Sequence, residues 1–183
     1  KELSMLQLNK LKSELTIKPY VHGAPVNNTK TFPVYREALN KLYIPYYFGK
    51  EMFGEPIKSN VLDGEPIKII FNGKLRENQE IVVNTYLNHI KGSKFGGGLL
   101  ELPCAYGKTV LALNIISQIK RKTLVIVHKE FLMNQWIERI GQFLPGAKIG
   151  KIQGQTLDID DKDIVIGMLQ SLSMKEYDLK AFD

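Results

Sequence analysis

The 183-residue sequence is poor in the residues that staple small proteins or bind metals: it has one cysteine, Cys104, and three scattered histidines, His22, His89 and His128. A lone thiol excludes an internal disulfide and a cysteine-based zinc site, and the histidine spacing matches no metal motif. No apolar run approaches the roughly 18 residues of a membrane span, and residues 1–20 hold no signal-peptide core. The expectation is an intracellular, reducing setting, in cytoplasm or nucleus, with no membrane partner. Internal repeats and low-complexity tracts are also absent. Position 1 is Lys rather than Met, so the chain is expected to be a piece of a longer one.

A hydrophobic fraction of 44% and a charged fraction of 24% are those of a globular chain. The net charge of +6 favours a polyanionic partner, because Lys and Arg gain affinity for phosphates by releasing condensed counterions. The excess is spread evenly. Residues 1–70 hold ten Lys/Arg against seven Asp/Glu, and residues 71–183 hold fifteen against twelve.

Residues 15–21, 31–36, 41–45 and 67–71 are short β-branched or aromatic runs, punctuated by Gly, Pro and Asn at 23–25, 27–28, 54–56 and 64–66. They predict a small, mostly antiparallel β-rich domain over residues 1–70. Residues 3–15 only half match helical spacing. Tyr20, Phe32, Tyr35, Tyr43, Tyr46, Tyr47, Phe48 and Phe53 interleave with Lys18, Arg36, Lys41 and Lys50. The rings are expected to pack as core, with the cations on the wet face; stacking on nucleic-acid bases is the alternative use.

Past Gly73 the apolar period changes from two to 3.6. A helix is predicted over 75–91, then a strand at 98–102, a helix at 108–120, a wholly apolar strand at 123–127, a helix at 131–144, and strands at 147–153 and 163–167. Such alternation, with strands apolar on both faces, predicts an α/β fold with a parallel sheet covered by helices, its ligand site at the carboxyl ends of the strands. The acidic residues of 158–163 lack Ca²⁺-loop spacing and are expected to form a solvated turn before a strand.

The chemistry gathers at three places. Leu102-Pro103-Cys104-Ala105-Tyr106-Gly107-Lys108-Thr109 joins a strand to a helix, so unpaired backbone N–H groups and the helix dipole aim at one point where phosphate fits. Lys108 is placed to reach outer phosphates and the Thr109 hydroxyl to ligate Mg²⁺. Arg76 and Gln79 open the preceding helix, and a Gln amide offers the donor and acceptor that match the adenine edge. His128, Lys129 and Gln135 follow one strand and Gln170 and Ser171 another; both sets are placed to hold a phosphodiester backbone. For His128 to Glu130 a plain helix start competes, and for Ser171 a helix cap.

Together these residues resemble the superfamily 2 helicases, and within them the XPB-like group that includes relatives in large DNA viruses and phages. The resemblance rests on Leu75-Arg76-x-x-Gln79, on Leu102 to Thr109, on Leu124-Val125-Ile126-Val127-His128-Lys129 with Gln135-Trp136, and on Ile164-Val165-Ile166-Gly167-Met168-Leu169-Gln170-Ser171-Leu172. It implies a partial RecA-like ATP-binding domain over residues 71–183, with ATP and Mg²⁺ as cofactors and a nucleic acid, DNA before RNA, as partner. Arg76 and Gln79 would contact adenine, Cys104, Ala105, Tyr106, Gly107, Lys108 and Thr109 the phosphates, and His128, Lys129, Gln135, Gln170 and Ser171 the strand. The chain departs from the family at His128-Lys129, where Pro-Thr is usual, and at Ala105, where Gly is common.

The family hydrolyses ATP with an Asp-Glu pair at the end of a buried strand. No Asp-Glu dipeptide occurs in this sequence. The resemblance therefore implies no catalytic residue here, and a parent chain that supplies both that strand and a second, carboxy-terminal RecA-like domain. The alternative function is a non-catalytic nucleic-acid-binding module whose β-rich domain provides the affinity. A small-molecule kinase shares the phosphate loop but leaves Arg76, Gln79, Gln170 and Ser171 unexplained.

Overall fold

The computed structural model describes residues 3–20, 30–58, 64–91 and 96–177. The turn signals expected at 23–25 and 27–28, and Gly92 after the predicted helix, lie outside them. The chain divides into two compact units, residues 1–60 and 61–183.

Among its described residues the first unit holds two helices and two antiparallel strand pairs. Helix α1, Met5–Glu14, starts at a capping box in which Ser4 and Gln7 each bond the other's backbone N–H. Those reciprocal bonds satisfy orphan donors, so a helix forms where apolar spacing alone is ambiguous. Strand β1, Thr16–Ile17, pairs antiparallel with β2, Phe32–Pro33, and β3, Arg36–Ala38, with β4, Lys41–Tyr43. After the expected run at 41–45 comes helix α2, Tyr46–Phe53, which the sequence pattern did not predict. The expected aromatic core is overturned. Among the described residues of this unit only Leu11 and Leu15 are buried, while Tyr20, Phe32, Tyr43, Tyr46, Tyr47 and Phe53 are exposed. Strands of two or three residues offer too little surface to cover rings of 150–250 Å² each.

The second unit is α/β. Helix α3, Glu77–Lys91, precedes the phosphate loop and α4, Lys108–Ile119, follows it. Then come β5, Thr123–Val127; α5, Glu130–Phe143; β6, Ile149–Gln153; β7, Thr156–Asp158; β8, Ile164–Met168; and α6, Leu169–Met174. The sheet order is β5-β8-β6-β7, parallel except for β7, an antiparallel edge strand that the sequence pattern did not predict. Its three residues are all exposed, so no apolar alternation marks them.

Strand β8 is central and apolar on both faces. Ile164 and Ile166 pack with Leu113 and Ile116 of α4 and Met133 and Ile140 of α5, while Val165 packs with Ile152 and Ile159 in a second cluster. Alternate residues of one strand thus join two cores, as period-two geometry requires. Residues 67–71 keep the expected alternation, Ile67 and Ile69 buried and Lys68 and Ile70 exposed, yet form no ladder. Their tie to the sheet is a bridge from Pro66 to Arg121, with Ile67 N–H donating to the Lys120 carbonyl. Residues 98–102 likewise are not a strand, contrary to expectation. A strand needs a ladder partner, and none of the described strands pairs with them.

Candidate functional site

Residues 103–107 turn tightly before α4. Tyr106 N–H donates to the Pro103 carbonyl at 3.4 Å, Ala105 has φ +61° and Gly107, the helix N-cap, has φ +91°. Left-handed φ favours glycine, so Gly107 is required by its backbone; at Ala105 the methyl is tolerated at a cost of about 1–2 kcal/mol. The first N–H groups of α4 have no intrahelical partner and face the turn.

Arg76 and Gln79 converge on this turn. Gln79 is buried; its Nε2 donates to the Tyr106 carbonyl at 2.8 Å and its Oε1 accepts from Arg76 N–H at 3.0 Å. The Arg76 guanidinium donates to the same carbonyl at 2.6 Å and lies 5.9 Å from the centre of the Tyr106 ring. Tyr106 Oη completes the clamp, donating to the Asn78 carbonyl at 3.2 Å. Gln79 therefore also caps α3, reaching back from the third helical position to the N–H of Arg76. One of its N–H groups and one of its oxygen lone pairs remain uncommitted. A methyl on Gly107 would sit 2.6 Å from Gln79 Nε2, so the glycine also makes room for the amide.

Lys108 Nζ donates to the carbonyls of Leu102 and Pro103, at 2.5 and 2.6 Å. The ammonium thus holds the start of the loop, with a third N–H left over. Thr109 occupies the first turn of α4 and is half-buried, and Cys104 is exposed. An apolar cleft of about 450 Å³ separates residues 98–102 from β5, lined by Leu100, Leu102, Leu111, Ile116 and Trp136 and reaching Lys108 and Thr109. Among the described residues no carboxylate lines it. Leu124 and Ile126 of β5 are exposed although their strand is apolar after Thr123.

The remaining candidates gather along the carboxyl edge of the sheet. His128 and Lys129 leave β5, both exposed, with Lys129 as N-cap of α5 and no side-chain cap bond. Gln135 is exposed on the second turn of α5. Gln170 Nε2 donates to the His128 carbonyl at 3.2 Å, which joins the two segments. Ser171 does not cap a helix: the N-cap of α6 is Met168, and Ser171 Oγ accepts the N–H of Gly154 at 2.9 Å. That role was hidden in the sequence, since nothing local pairs positions 17 residues apart.

Within the acidic stretch Asp160 and Asp161 form the expected exposed turn before β8, whereas Asp158 ends β7 and Ile159 is buried. Asp161 pairs with Lys148 at 2.6 Å, and this hydrogen bond holds its carboxyl below the usual carboxylate range while raising Lys148 above the usual lysine value. Among the described residues no cluster of His, Cys, Asp and Glu is arranged to hold a metal, and no helix is long and apolar enough to cross a membrane.

The chain is similar to known proteins along most of its length. The family model described as the res subunit of type III restriction enzymes matches residues 72–182. A protein of Acanthamoeba polyphaga mimivirus, named as a candidate ATP-dependent RNA helicase, is 33% identical over 96% of this chain and 34% of its own length. A candidate helicase of Invertebrate iridescent virus 6 is 32% identical over 78% of this chain and 30% of its own length. The DNA 3'-5' translocase XPB2 of Sulfurisphaera tokodaii is 34% identical over 54% of this chain and 21% of its own length. The chain spans about a third or less of the length of these curated relatives. With more than half of its residues matched by the family model, the chain belongs to the type III restriction res-subunit family, and its similarity to viral helicases and to an XPB translocase agrees with the XPB-like superfamily 2 resemblance.

Proposed function

We propose that this chain is the nucleotide-binding and strand-contacting part of an ATP-dependent helicase or translocase that acts on DNA, with ATP and Mg²⁺ held at residues 104–109. The observation that carries the reading is the convergence of Arg76 and Gln79 on the Tyr106 carbonyl, since it joins a candidate base-reading amide to the phosphate loop. The donor set fits a triphosphate: orphan N–H groups at the start of α4, the Lys108 ammonium, the Thr109 hydroxyl for Mg²⁺ and the free half of the Gln79 amide for adenine. On binding, Lys108 exchanges two carbonyl acceptors for phosphate oxygens, a stronger charge-assisted bond. The bound nucleotide supplies the phosphoanhydride whose cleavage drives movement.

His128, Lys129, Gln135, Gln170 and Ser171 meet the nucleic acid at the carboxyl edge. The hydrolytic carboxylates come from another strand of the parent chain, seated in the apolar cleft between residues 98–102 and β5, and a second RecA-like domain of that chain closes on the loop. This chain alone is accordingly expected to bind ATP weakly and not to turn it over. Multiple-turnover phosphate release that is abolished by Lys108→Ala in the 183-residue chain would overturn that statement; no release above background is expected.

A second reading is favoured by the exposed rings of the first unit, where Phe32 and Tyr43 are about half exposed and Lys41 stands two residues before Tyr43 on β4. Residues 1–60 carry nine Lys/Arg against five Asp/Glu, a net +4. Stacking rings and cations together make a single-strand-binding module. If strand affinity falls with Phe32→Ala and Tyr43→Ala but not with Lys129→Gln, the module reading replaces the motor reading as the source of affinity.

A further inference from the structure

A phosphate cradle is built from the backbone of its turn, so a side chain in the middle of that turn needs only to stay out of the way. At position 106 stands a tyrosine. Its ring is half-buried and packs against the cluster of Val83 from α3 with Leu111 and Ile115 from α4. Its hydroxyl donates to the Asn78 carbonyl at 3.2 Å, and the Arg76 guanidinium lies 5.9 Å from the ring centre. The side chain therefore ties the turn to the start of α3.

The backbone of the same residue is gripped from the same side. The Tyr106 carbonyl accepts from Gln79 Nε2 at 2.8 Å and from Arg76 Nη2 at 2.6 Å, which uses both of its lone pairs. Glu77 and Glu80, the acidic residues in the first turn of α3, form no ion pair with Arg76 among the described residues, so the guanidinium is committed to the loop. A peptide unit is planar, and none among the described residues is cis. In a planar trans unit the carbonyl and the N–H that follows it point in opposite directions. With the Tyr106 carbonyl drawn towards residues 76–79, the Gly107 N–H is turned away from them. Among the described residues that N–H has no hydrogen-bond partner. Gly107 is the N-cap of α4, so the group stands next to the orphan N–H groups of that helix.

We propose that Tyr106 is a positioning residue for the triphosphate: held by Arg76, Gln79 and Asn78, its peptide unit aims the Gly107 N–H at a phosphate oxygen. The proposal rests on the reading of residues 104–109 as the nucleotide site. The Tyr106 ring touches no phosphate and acts through the peptide bond that follows it. Arg76 and Gln79 then serve the phosphate end of the nucleotide as well as the base, and the first service needs no base. An amide fixed beforehand loses little freedom when the anion arrives, and its bond to a charged oxygen is stronger than one to a carbonyl.

The test is isothermal titration of the full chain with ATP and Mg²⁺ and, separately, with tripolyphosphate and Mg²⁺, a probe that carries the phosphates and no base. Tyr106→Ala and Gln79→Ala are each expected to weaken tripolyphosphate binding several-fold. Tyr106→Phe keeps the ring, loses the Asn78 bond and is expected to weaken it by a smaller factor; it carries the test if Tyr106→Ala does not fold. Val83→Ala thins the same cluster without removing a hydrogen bond of the brace, and is expected to lower the melting temperature and leave tripolyphosphate affinity as in the wild type. Equal weakening by Val83→Ala would assign the effect to packing and overturn the proposal. So would wild-type tripolyphosphate affinity in Tyr106→Phe and Gln79→Ala, whether or not their ATP affinity falls; residues 76–79 would then serve the base alone, and the phosphate site would stand. If the wild-type chain binds neither ligand, or Lys108→Ala binds both as tightly as the wild type, the nucleotide reading falls and this inference with it.

Discussion

Replacing Gly107 by Ala probes the link between the phosphate loop and the helix before it. The new methyl meets two obstacles: a backbone at φ +91°, and Gln79 Nε2 at 2.6 Å. The first costs about 1–2 kcal/mol for a residue with a Cβ. The second forces the amide away from the Tyr106 carbonyl, and a buried amide left without its partner costs about 1–3 kcal/mol. Gln79 is only 5% exposed, so water does little to compensate. The single variant is therefore expected to lose about 2–5 kcal/mol, measured by urea titration of circular dichroism. Gln79→Ala removes the obstructing atom. In the double variant only the backbone strain and the lost amide bonds remain, so its loss should fall short of the sum of the two single losses by about 1–3 kcal/mol. Additive losses, within about 0.5 kcal/mol, would show that Gly107 and Gln79 are not coupled and would refute the clamp.

Ala105→Gly should relieve left-handed strain of about 1–2 kcal/mol against an unfolded-state entropy cost of about 0.4–1 kcal/mol. A small rise in melting temperature is expected, and a clear fall would contradict the backbone assignment. The Asp161–Lys148 pair makes a signed prediction about pH. Because Asp161 titrates below its usual range when folded, its contribution is complete above the unfolded carboxylate value and is lost as pH falls through the acid range. Lys148 titrates above its usual value, so its share is present below that value and is lost only at strongly alkaline pH. Asp161→Asn should flatten the acid limb of stability against pH, an effect that moderate salt reduces in the wild type. Ile166→Ala, at a fully buried position of the central strand, should cost about 2–5 kcal/mol by equilibrium unfolding.

The second unit was legible in sequence because its elements are long and their periods distinct. Thr123 to Val127 and Ile164 to Gly167 read as two-faced strands and became neighbours, and Phe131 to Phe143 read as an amphipathic helix and supplied Met133 and Ile140 to the core. The apolar run at 98–102 is equally clear, but a strand exists only where a neighbour completes its ladder. The first unit was read less well. Its aromatic residues have the composition of core strands, yet the strands are too short to enclose them, and α1 was set by a cap at Ser4 and Gln7 rather than by periodicity. At the site, residue type and spacing pointed to Arg76, Gln79 and Lys108. They did not reveal that all three bond to the loop's own carbonyls, or that Ser171 holds Gly154, because those partners are backbone atoms that carry no residue-type signal and, except for Lys108, lie 17 or more residues away.

The most direct measurement of the central claim is titration of the full chain with a fluorescent ATP analogue and Mg²⁺, in parallel with Lys108→Ala and Gln79→Ala. The account predicts saturable binding that weakens by tenfold or more without the Lys108 ammonium, together with a loss of preference for adenine over guanine nucleotides in Gln79→Ala. Equal affinities for wild type and both variants would contradict it.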